Sequence, residues 1–405
     1  MHRNNLICIV LLCFYLFSVL TTMSLEELYE RISCAVDGGD LKAARQLLVE
    51  YKLTGRSSQV DIDLNNLLRA AIRAEHSQIV ELLLDVGADV GREDVDGKRA
   101  IHLAAECDNV IALKLINRSG TALNAVDRNG SSALHISLMC GHRNASLFLI
   151  EARATVNRPR RYDSGETPLH IAARLGDSVI MAAALRRGAG RPDVQSSDGT
   201  TPLHIAARER HAACVDLLCT AARRSAINSL DKSQLTPLHC AVISSALDVV
   251  RTLLRHGADP NVVDRDGLAP LHYAAAATHP PAFSHSGVVD LLIAHGANVS
   301  IQDNQRRTPL HLAAAVGNAP LVRLLLSAGA SIDAVERILG ETAVNIAAAY
   351  GRYDAMRELC EAGCDVNITD KHGVAPLYKL LSTAGNGEQC RYVFAFCWFV
   401  YQRYY

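Results

Sequence analysis

The stretch Gly165–Asp177 reads G-E-T-P-L-H-I-A-A-R-L-G-D, and its central phrase returns along most of the chain. Close copies begin at Thr201 (T-P-L-H-I-A-A), Thr236 (T-P-L-H-C-A) and Thr308 (T-P-L-H-L-A-A). The histidine of the phrase recurs at steps of 33, 35, 34, 35, 33 and 39 residues, at His102, His135, His170, His204, His239, His272 and His311. A fixed period near 33 residues is the signature of a stacked repeat array.

Each residue of the phrase has a mechanical role in starting, packing or ending a helix. The hydroxyl of Thr167 is suited to cap a helix start. Pro168 then fits the first helical position, where a missing N–H costs nothing. Leu169 and Ala172 contribute an apolar, partly small face that lets two helices approach closely. Gly176 falls where the helix is expected to end in a left-handed residue.

A second apolar run follows in each unit, as in Val289–Ile293 and Leu321–Leu326, and its spacing indicates one helical face. These runs end in Gly-Ala pairs such as Gly296-Ala297. Asp-rich turn chemistry comes next, as in D-R-D-G at Asp264. One unit is therefore a helix, a turn, a second helix and a hairpin-like finger. Since a single unit cannot bury its own apolar face, the units must stack.

This phrase at this period resembles the ankyrin repeat, and the resemblance extends from Ser24 to about Ser382. It implies an all-α ankyrin-repeat solenoid of about ten stacked helix-turn-helix units with hairpin-like finger loops. It also implies that each recurring histidine is a structural cap, bonded to the threonine hydroxyl and to nearby backbone. Ankyrin arrays bind other proteins on their finger tips and on the exposed side of their first helices, which predicts a non-catalytic scaffold or adaptor.

Composition and missing motifs agree with that prediction. The net charge of -1 and the pI near 7.0 argue against general nucleic-acid binding. The sequence contains no Walker phosphate loop, no H-E-x-x-H and no nucleophile elbow, and the twelve cysteines have no zinc-site spacing. The regular histidines belong to separate units about one helix diameter apart, too far to share a metal. We therefore predict no enzyme activity, no catalytic residue, no cofactor and no metal.

Four segments are expected. Residues 1–22 are an apolar leader, 23–56 a capping repeat, 57–384 the repeat array, and 385–405 an aromatic tail of unknown role. The leader contains a fifteen-residue apolar run, Leu6–Leu20, which is short for a bilayer span of about 20 residues. It resembles a signal peptide, but Met23 also reads as a natural start, which would make the leader a wrongly assigned extension. We expect a cytoplasmic protein, with a secreted or membrane-anchored form, held through residues 6–20, as the alternative.

Several units depart from the pattern. Gln234 and Arg306 replace the finger glycine, which predicts turns of a different shape. Arg69 and Asn345 stand where the histidine is expected. The 39-residue step contains an insertion, Thr278–Ser286, placed between the two helices of one unit. Such insertions map to one edge of an array, where they are either tolerated surface loops or part of a binding surface.

Charge suggests where a partner binds. The stretch Ser24–Val90 has twelve acidic and seven basic residues, whereas Glu151–Ser225 has twelve arginines and eight acidic residues. Complementary charge steers encounter and specificity. We predict that an acidic protein segment docks near residues 153–210, and the alternative is a solvated arginine-rich face. The candidate residues are Arg153, Arg158, Arg160 and Arg161, described as a finger, and Arg174, Arg208 and Arg210, assigned to first helices.

Two further expectations follow from the resemblance. Some ankyrin fingers are hydroxylated on an asparagine where a leucine precedes D-V-N, and Asn367 matches this arrangement, while Asn261 matches it less well. The protein is expected to be a monomer. Alternatively, the chain is the N-terminal ankyrin region of a larger channel, ubiquitin-ligase adaptor or enzyme, or a secreted or membrane-tethered ankyrin protein.

Overall fold

The computed structural model describes residues 25–53, 63–120, 122–160, 165–186, 190–222, 224–277 and 283–383. Within these ranges the chain forms 22 helices and one isolated antiparallel bridge, between Val126 and Ser132. The helices are α1 Leu25–Asp37, α2 Leu41–Leu53, α3 Leu64–Arg73, α4 Ser77–Val86, α5 Ala100–Glu106, α6 Val110–Arg118, α7 Ala133–Met139, α8 Arg143–Glu151, α9 Pro168–Leu175, α10 Ser178–Arg186, α11 Pro202–Arg208, α12 Ala212–Ala221, α13 Arg224–Ile227, α14 Pro237–Ile243, α15 Leu247–Arg255, α16 Pro270–Ala276, α17 Phe283–Ala294, α18 Pro309–Val316, α19 Ala319–Ser327, α20 Ala343–Ala349, α21 Tyr353–Glu361 and α22 Pro376–Thr383.

The chain divides into two compact units, residues 1–171 and 172–405, and the boundary falls inside α9. In the first unit the helices pair as α1 with α2, α3 with α4, α5 with α6, and α7 with α8. The first helices α1, α3, α5 and α7 pack in series, and so do α2, α4, α6 and α8. In the second unit α11, α14, α16, α18, α20 and α22 pack in series in the same way. The predicted all-α array of stacked helix pairs is confirmed within each unit.

Small residues allow the first helices to stack closely. Ala206 and Ala207 of α11 and Ala241 of α14 are completely buried. Larger aliphatic side chains fill the space on the second helices, where Val250 and Leu253 of α15 are also completely buried. Burying one such aliphatic side chain contributes about 1.5–3 kcal/mol. The core of each unit is therefore a continuous apolar layer between the two rows of helices.

The predicted end of the first helix in the deciding phrase is confirmed. Gly176 follows α9 with φ +72°, in the left-handed region. A Cβ atom added there would meet the ring of His211 at 2.5 Å. The same ring reaches back, and its Nε2 atom lies 3.1 Å from the carbonyl oxygen of Arg174. Glycine is thus required for two reasons, backbone conformation and the close approach of the next helix pair.

The expectation that Gln234 and Arg306 alter their turns is wrong. Their φ angles are +61° and +63°, in the same left-handed region as Gly267 at +80°. The N–H of Gln234 bonds to the carbonyl of Asp231 at 2.9 Å, and the N–H of Gly267 bonds to that of Asp264 at 3.1 Å. The turn keeps its shape because its hydrogen bonds outweigh the cost, about 1 kcal/mol, of a left-handed non-glycine residue.

The loop formed by the predicted insertion is shorter than expected. Helix α17 begins at Phe283, so the last four residues of Thr278–Ser286 belong to the second helix of that pair. Residues 278–282, the leader 1–22 and the tail 385–405 lie outside the described residues. In the ranges that are described, no helix is both long enough and apolar enough to cross a membrane.

Candidate interaction surface

The recurring histidines sit at the start of the first helices. In α11, the Nδ1 atom of His204 accepts the backbone N–H of Thr201 at 3.2 Å and lies 2.8 Å from its hydroxyl oxygen. To accept the N–H of Thr201, Nδ1 must be unprotonated, so the ring is neutral and carries its proton on Nε2. That Nε2–H donates to the carbonyl oxygen of Leu235, in the next finger, at 3.0 Å. One imidazole therefore links the start of its own helix to the next repeat.

The same geometry recurs along the second unit. The Nε2 atoms of His239, His272 and His311 lie 3.1, 3.0 and 3.3 Å from carbonyl oxygens of the following finger. Burial lowers the pKa of these rings, and it lowers the pKa of His204 to about 4. The nitrogen atoms of each imidazole form hydrogen bonds with the backbone, as expected of a structural cap.

Two repeats bridge to the following finger without a histidine. The Nη2 atom of Arg69 donates to the carbonyl oxygen of Lys98 at 3.0 Å, and its Nη1 atom pairs with Asp94 at 2.8 Å. The Nδ2 atom of Asn345 donates to the carbonyl oxygen of Ile368 at 3.1 Å. The sequence marked both as departures, but the repeat register alone did not reveal that each bridges to the next finger.

His135 is the exception. It is completely buried, and burial lowers its pKa to about 4. Backbone groups of Arg158 and Glu166 oppose this lowering of the pKa, yet in the described part of the chain its Nε2 has no hydrogen-bond partner. The finger that follows His135 therefore differs from the others.

Most fingers are held by a carboxylate that is buried or half-buried. In Asp264, Oδ1 accepts the N–H groups of Asp266 and Leu268 at 2.9 and 2.8 Å, and Oδ2 accepts the hydroxyl of Tyr273 at 2.6 Å. A carboxylate that accepts several donors fixes the turn. The carboxylates in this role are Asp94, Asp127, Asp231, Asp264, Asp303, Glu336 and Asp370.

In the finger after α8, Arg160 occupies the position that the carboxylate has in the other fingers. Its N–H bonds to the carbonyl of Glu166 at 3.2 Å, and its Nε donates to the hydroxyl of Ser131 at 3.1 Å. The Nη1 atom of Arg158 donates to the carbonyl oxygen of Asn124 at 3.2 Å. The first unit thus holds two arginines in one finger where its other fingers have an acid. Arg161 lies outside the described residues.

The other candidate arginines lie elsewhere. Arg153 lies two residues after the end of α8 in a left-handed conformation, with φ +72°, so its assignment to the finger is wrong. Arg174 and Arg208 lie in the last turns of α9 and α11 and are exposed. Arg210 occupies the left-handed turn after α11, with φ +66°, so it does not lie on a first helix. Arg153, Arg158 and Arg160 belong to the first unit, and Arg174, Arg208 and Arg210 belong to the second.

The two candidate asparagines differ in their surroundings. The Nδ2 atom of Asn261 donates to the carbonyl oxygen of Gly296 at 2.9 Å, and its Oδ1 accepts the N–H of Asn298 at 2.7 Å. Both polar atoms of its side chain therefore bond to the next repeat. Asn367 is exposed, and its N–H donates to the carboxylate of Asp365 at 2.9 Å.

The geometry of caps and fingers agrees with a comparison against protein families. The family described as ankyrin repeats, in three copies, matches in overlapping segments that run from residue 32 to residue 370. The chain is an ankyrin-repeat protein. The ankyrin fold is generally a non-catalytic interaction module, and its usual ligands are other proteins.

Several ankyrin relatives share part of the chain. Identity is 30% with the ankyrin repeat protein nuc-2 of Neurospora crassa, over 63% of this chain and 24% of that protein. It is 26% with the E3 ubiquitin-protein ligase KEG of Arabidopsis thaliana, over 89% and 21%. It is 32% with the human ankyrin repeat and SOCS box protein 16, over 48% and 44%. This chain thus spans less than half the length of each of these relatives.

Among solved structures, the crystal structure of the human ASB11 ankyrin repeat domain is similar. It covers 57% of this chain and 97% of that domain, with a TM-score of 0.47 and 24% identity.

Proposed function

We propose that this ankyrin protein is a non-catalytic scaffold or adaptor that binds acidic segments of partner proteins, and that it acts as a monomer in the cytoplasm. The observation that carries the proposal is Arg160, at a finger position where seven other fingers have a carboxylate, five of them buried. The exchange removes a negative charge and adds a positive one. With Arg158 exposed in the same finger, a carboxylate on a partner would meet two guanidinium groups.

The exposed ends of first helices support the same proposal in the second unit. Arg208 and Arg210 are exposed at the end of α11 and in the turn after it. Complementary charge at such positions speeds association and excludes wrong partners more than it adds affinity. We therefore expect binding to weaken as ionic strength rises.

The test is charge reversal. Arg158, Arg160 and Arg161 are changed together to Glu in the full chain, which is then used as bait for affinity capture with mass spectrometry. We expect at least one partner captured by the native protein to be lost. The matched control reverses Lys232 and Arg265, exposed in other fingers, and should retain that partner. Capture unchanged by the triple reversal would contradict the proposal.

A second candidate function is substrate recruitment for ubiquitin transfer. It is supported by the names of two relatives, a ubiquitin ligase and a SOCS box protein, which resemble this chain through its ankyrin region. The native product, purified from its own cells, would be incubated with ubiquitin, its activating and conjugating enzymes and ATP. Ubiquitin chains on a co-purified protein would favour this candidate, and their absence would count against it.

We also propose that Asn367 is the better hydroxylation site of the two asparagines. Its exposed side chain is open to an enzyme, whereas Asn261 would have to release two hydrogen bonds to the next unit. Intact-mass and peptide analysis of the native protein tests this. One added oxygen on the peptide with Asn367 is expected, and an unshifted mass would contradict it.

A further inference from the structure

We propose that a second docking surface lies on the finger built by residues 335–341, and that it binds a peptide segment combining carboxylates with large apolar side chains. This inference deepens the proposed function, because it presupposes that the protein binds other proteins. It concerns a part of the chain that the arginine-rich stretch does not include. The surface, called here the aliphatic finger patch, consists of Val335, Ile338 and Leu339, with Arg306 and Arg337 beside them.

The patch is apolar where the two neighbouring fingers are polar. Ile338 is 57% exposed, Leu339 is 40% exposed and Val335 is 42% exposed. The tip residues of the two neighbouring fingers are N-Q-R from Asn304 and K-H from Lys371. A concentrated apolar surface on an otherwise polar edge marks an interaction site more often than scattered exposed residues do.

The finger is held rigidly from within. The carboxylate of Glu336 is buried and accepts the N–H groups of Ile338, at 2.6 Å, and of Leu339 and Glu341. This finger is one residue longer than its neighbours, with four steps from Glu336 to Gly340 where Asp264 and Gly267 are three apart. The longer side chain of glutamate spans the added residue and keeps the amides bonded.

Neighbouring fingers fix it further. The N–H of Arg337 donates to the carbonyl oxygen of Gln305 at 2.7 Å, and the N–H of Lys371 donates to that of Leu339 at 2.8 Å. The ammonium of Lys371 bonds to the carbonyl oxygen of Ile338 at 2.9 Å. Because the backbone is already ordered, a partner that covers Ile338 and Leu339 loses little conformational entropy on the side of this protein.

The charges around the patch select the partner. Asp303, Glu336 and Asp370 are buried at the finger bases, so the exposed charges at the tips are those of Arg306, Arg337 and Lys371. Among the residues that the structure describes, no carboxylate pairs with Arg306 or Arg337. An apolar centre flanked by unpaired cations complements a segment in which acidic residues flank apolar ones.

A further exposed apolar side chain, at the end of the helix after the finger, favours a peptide over a flat surface. Tyr350 is 65% exposed and caps the far end of α20, which begins just after the finger. At 1.5 Å per residue, this helix carries Tyr350 about 10 Å away from the finger base. A peptide can extend from the patch towards Tyr350, whereas a planar membrane that touches the finger tips cannot.

A peptide selection tests the inference. Random twelve-residue peptides are displayed and selected on the full chain, and the winners are synthesised for fluorescence polarisation. We expect enrichment of Asp or Glu together with Leu, Ile or Phe. The double variants I338S/L339S and R306E/R337E should each weaken binding about tenfold, which corresponds to about 1.4 kcal/mol. The matched variants V263S and R265E, at an exposed valine and arginine of another finger, should change it less than about twofold.

The opposite results would overturn the inference. They are an absence of acidic–apolar peptides among the winners, equal binding to I338S/L339S, or dimers in light scattering that I338S/L339S dissolves, which would assign the patch to a second copy. Binding to phosphatidylserine vesicles that requires Ile338 would assign it to a membrane. Thermal unfolding confirms that each variant folds. If captured partners still depend on Arg158 and Arg160, only the patch is wrong and the proposed function stands.

Discussion

The Nε2 atom of His204 lies 3.0 Å from the carbonyl oxygen of Leu235, 31 residues further along the chain. The other ring nitrogen accepts the N–H of Thr201, and this second bond exists only while the imidazole is neutral. Protonation would place a hydrogen on Nδ1 and turn an acceptor into a donor that faces another donor. The cap at the start of this helix is therefore coupled to pH, whereas the bond from Nε2 to Leu235 is compatible with a protonated ring.

We expect the free energy of unfolding to fall as the pH is lowered from about 6.5 to about 4. Burial lowers the folded-state pKa of His204 from 6.5 to about 4, so the unfolded chain takes up the proton first. The contribution is complete above 6.5, decreases through this window and is lost below about 4. For His204 alone it amounts to about 3 kcal/mol. Urea unfolding at a series of pH values measures it.

The variant H204N separates this effect from carboxylate titration. Asn345 already occupies the histidine position in one repeat and bonds to Ile368, so asparagine is compatible with the site. H204N should unfold with a flatter dependence on pH across the same window. An unchanged slope in H204N would refute the assignment of that slope to His204.

Removing a finger carboxylate should destabilise the array. In D264A, the N–H groups of Asp266 and Leu268 and the hydroxyl of Tyr273 lose their acceptor. We expect a loss of about 2–4 kcal/mol, since the site is buried and the amides cannot all turn to water. Chemical denaturation measures this loss. D266A, at the exposed neighbouring position, should cost less than about 0.5 kcal/mol, and equal effects for the two would contradict the finding.

Arg69 should be replaceable by the histidine that the repeat pattern expects. R69A removes hydrogen bonds to the carbonyl oxygens of Lys98 and Arg92 and the ion pair with Asp94. We expect it to cost about 2 kcal/mol, measured by thermal unfolding. R69H should recover about half of this loss by bonding to Lys98. If R69H is no more stable than R69A, the proposed equivalence of arginine and histidine fails.

The left-handed finger position predicts opposite effects for opposite exchanges. Q234G relieves a non-glycine residue held at φ +61° and should stabilise the protein by about 0.5–1 kcal/mol. G267A adds a Cβ at φ +80° that would meet the backbone nitrogen of Asn304 at 2.7 Å. This variant should destabilise the protein by at least about 1 kcal/mol. Midpoints of urea unfolding compare the two. Effects of the same sign would contradict this reading of the turn.

Much of the fold was predictable because its rules are local. The T-P-L-H phrase carries its own cap, first-turn proline and small packing face, so repetition specifies the helix pairs without distant information. Gly176 was predicted for the same reason. The error at Gln234 and Arg306 arose because the turn is held by the carboxylate of Asp231 or Asp303, which makes glycine dispensable.

The candidate surface was less predictable because it depends on contacts between repeats. Spacing alone placed Arg153 in a finger and Arg210 on a helix, but helix ends shift by one or two residues with capping, and both occupy left-handed turns. The role of Arg69 depends on Lys98, 29 residues away. The aliphatic finger patch was also missed, since the one-residue lengthening at Glu336 is visible only beside the other fingers.

Glu336 has a consequence for how such arrays change over generations. A single inserted residue in a finger of this kind would strand amides that an aspartate is too short to reach, and a glutamate without the insertion would overshoot them. In this finger we expect each of the two changes to be harmful alone and the pair to be tolerated. Variation in loop length among ankyrin proteins should therefore arrive as correlated pairs, with one extra methylene in the acid matched to one extra residue in the loop.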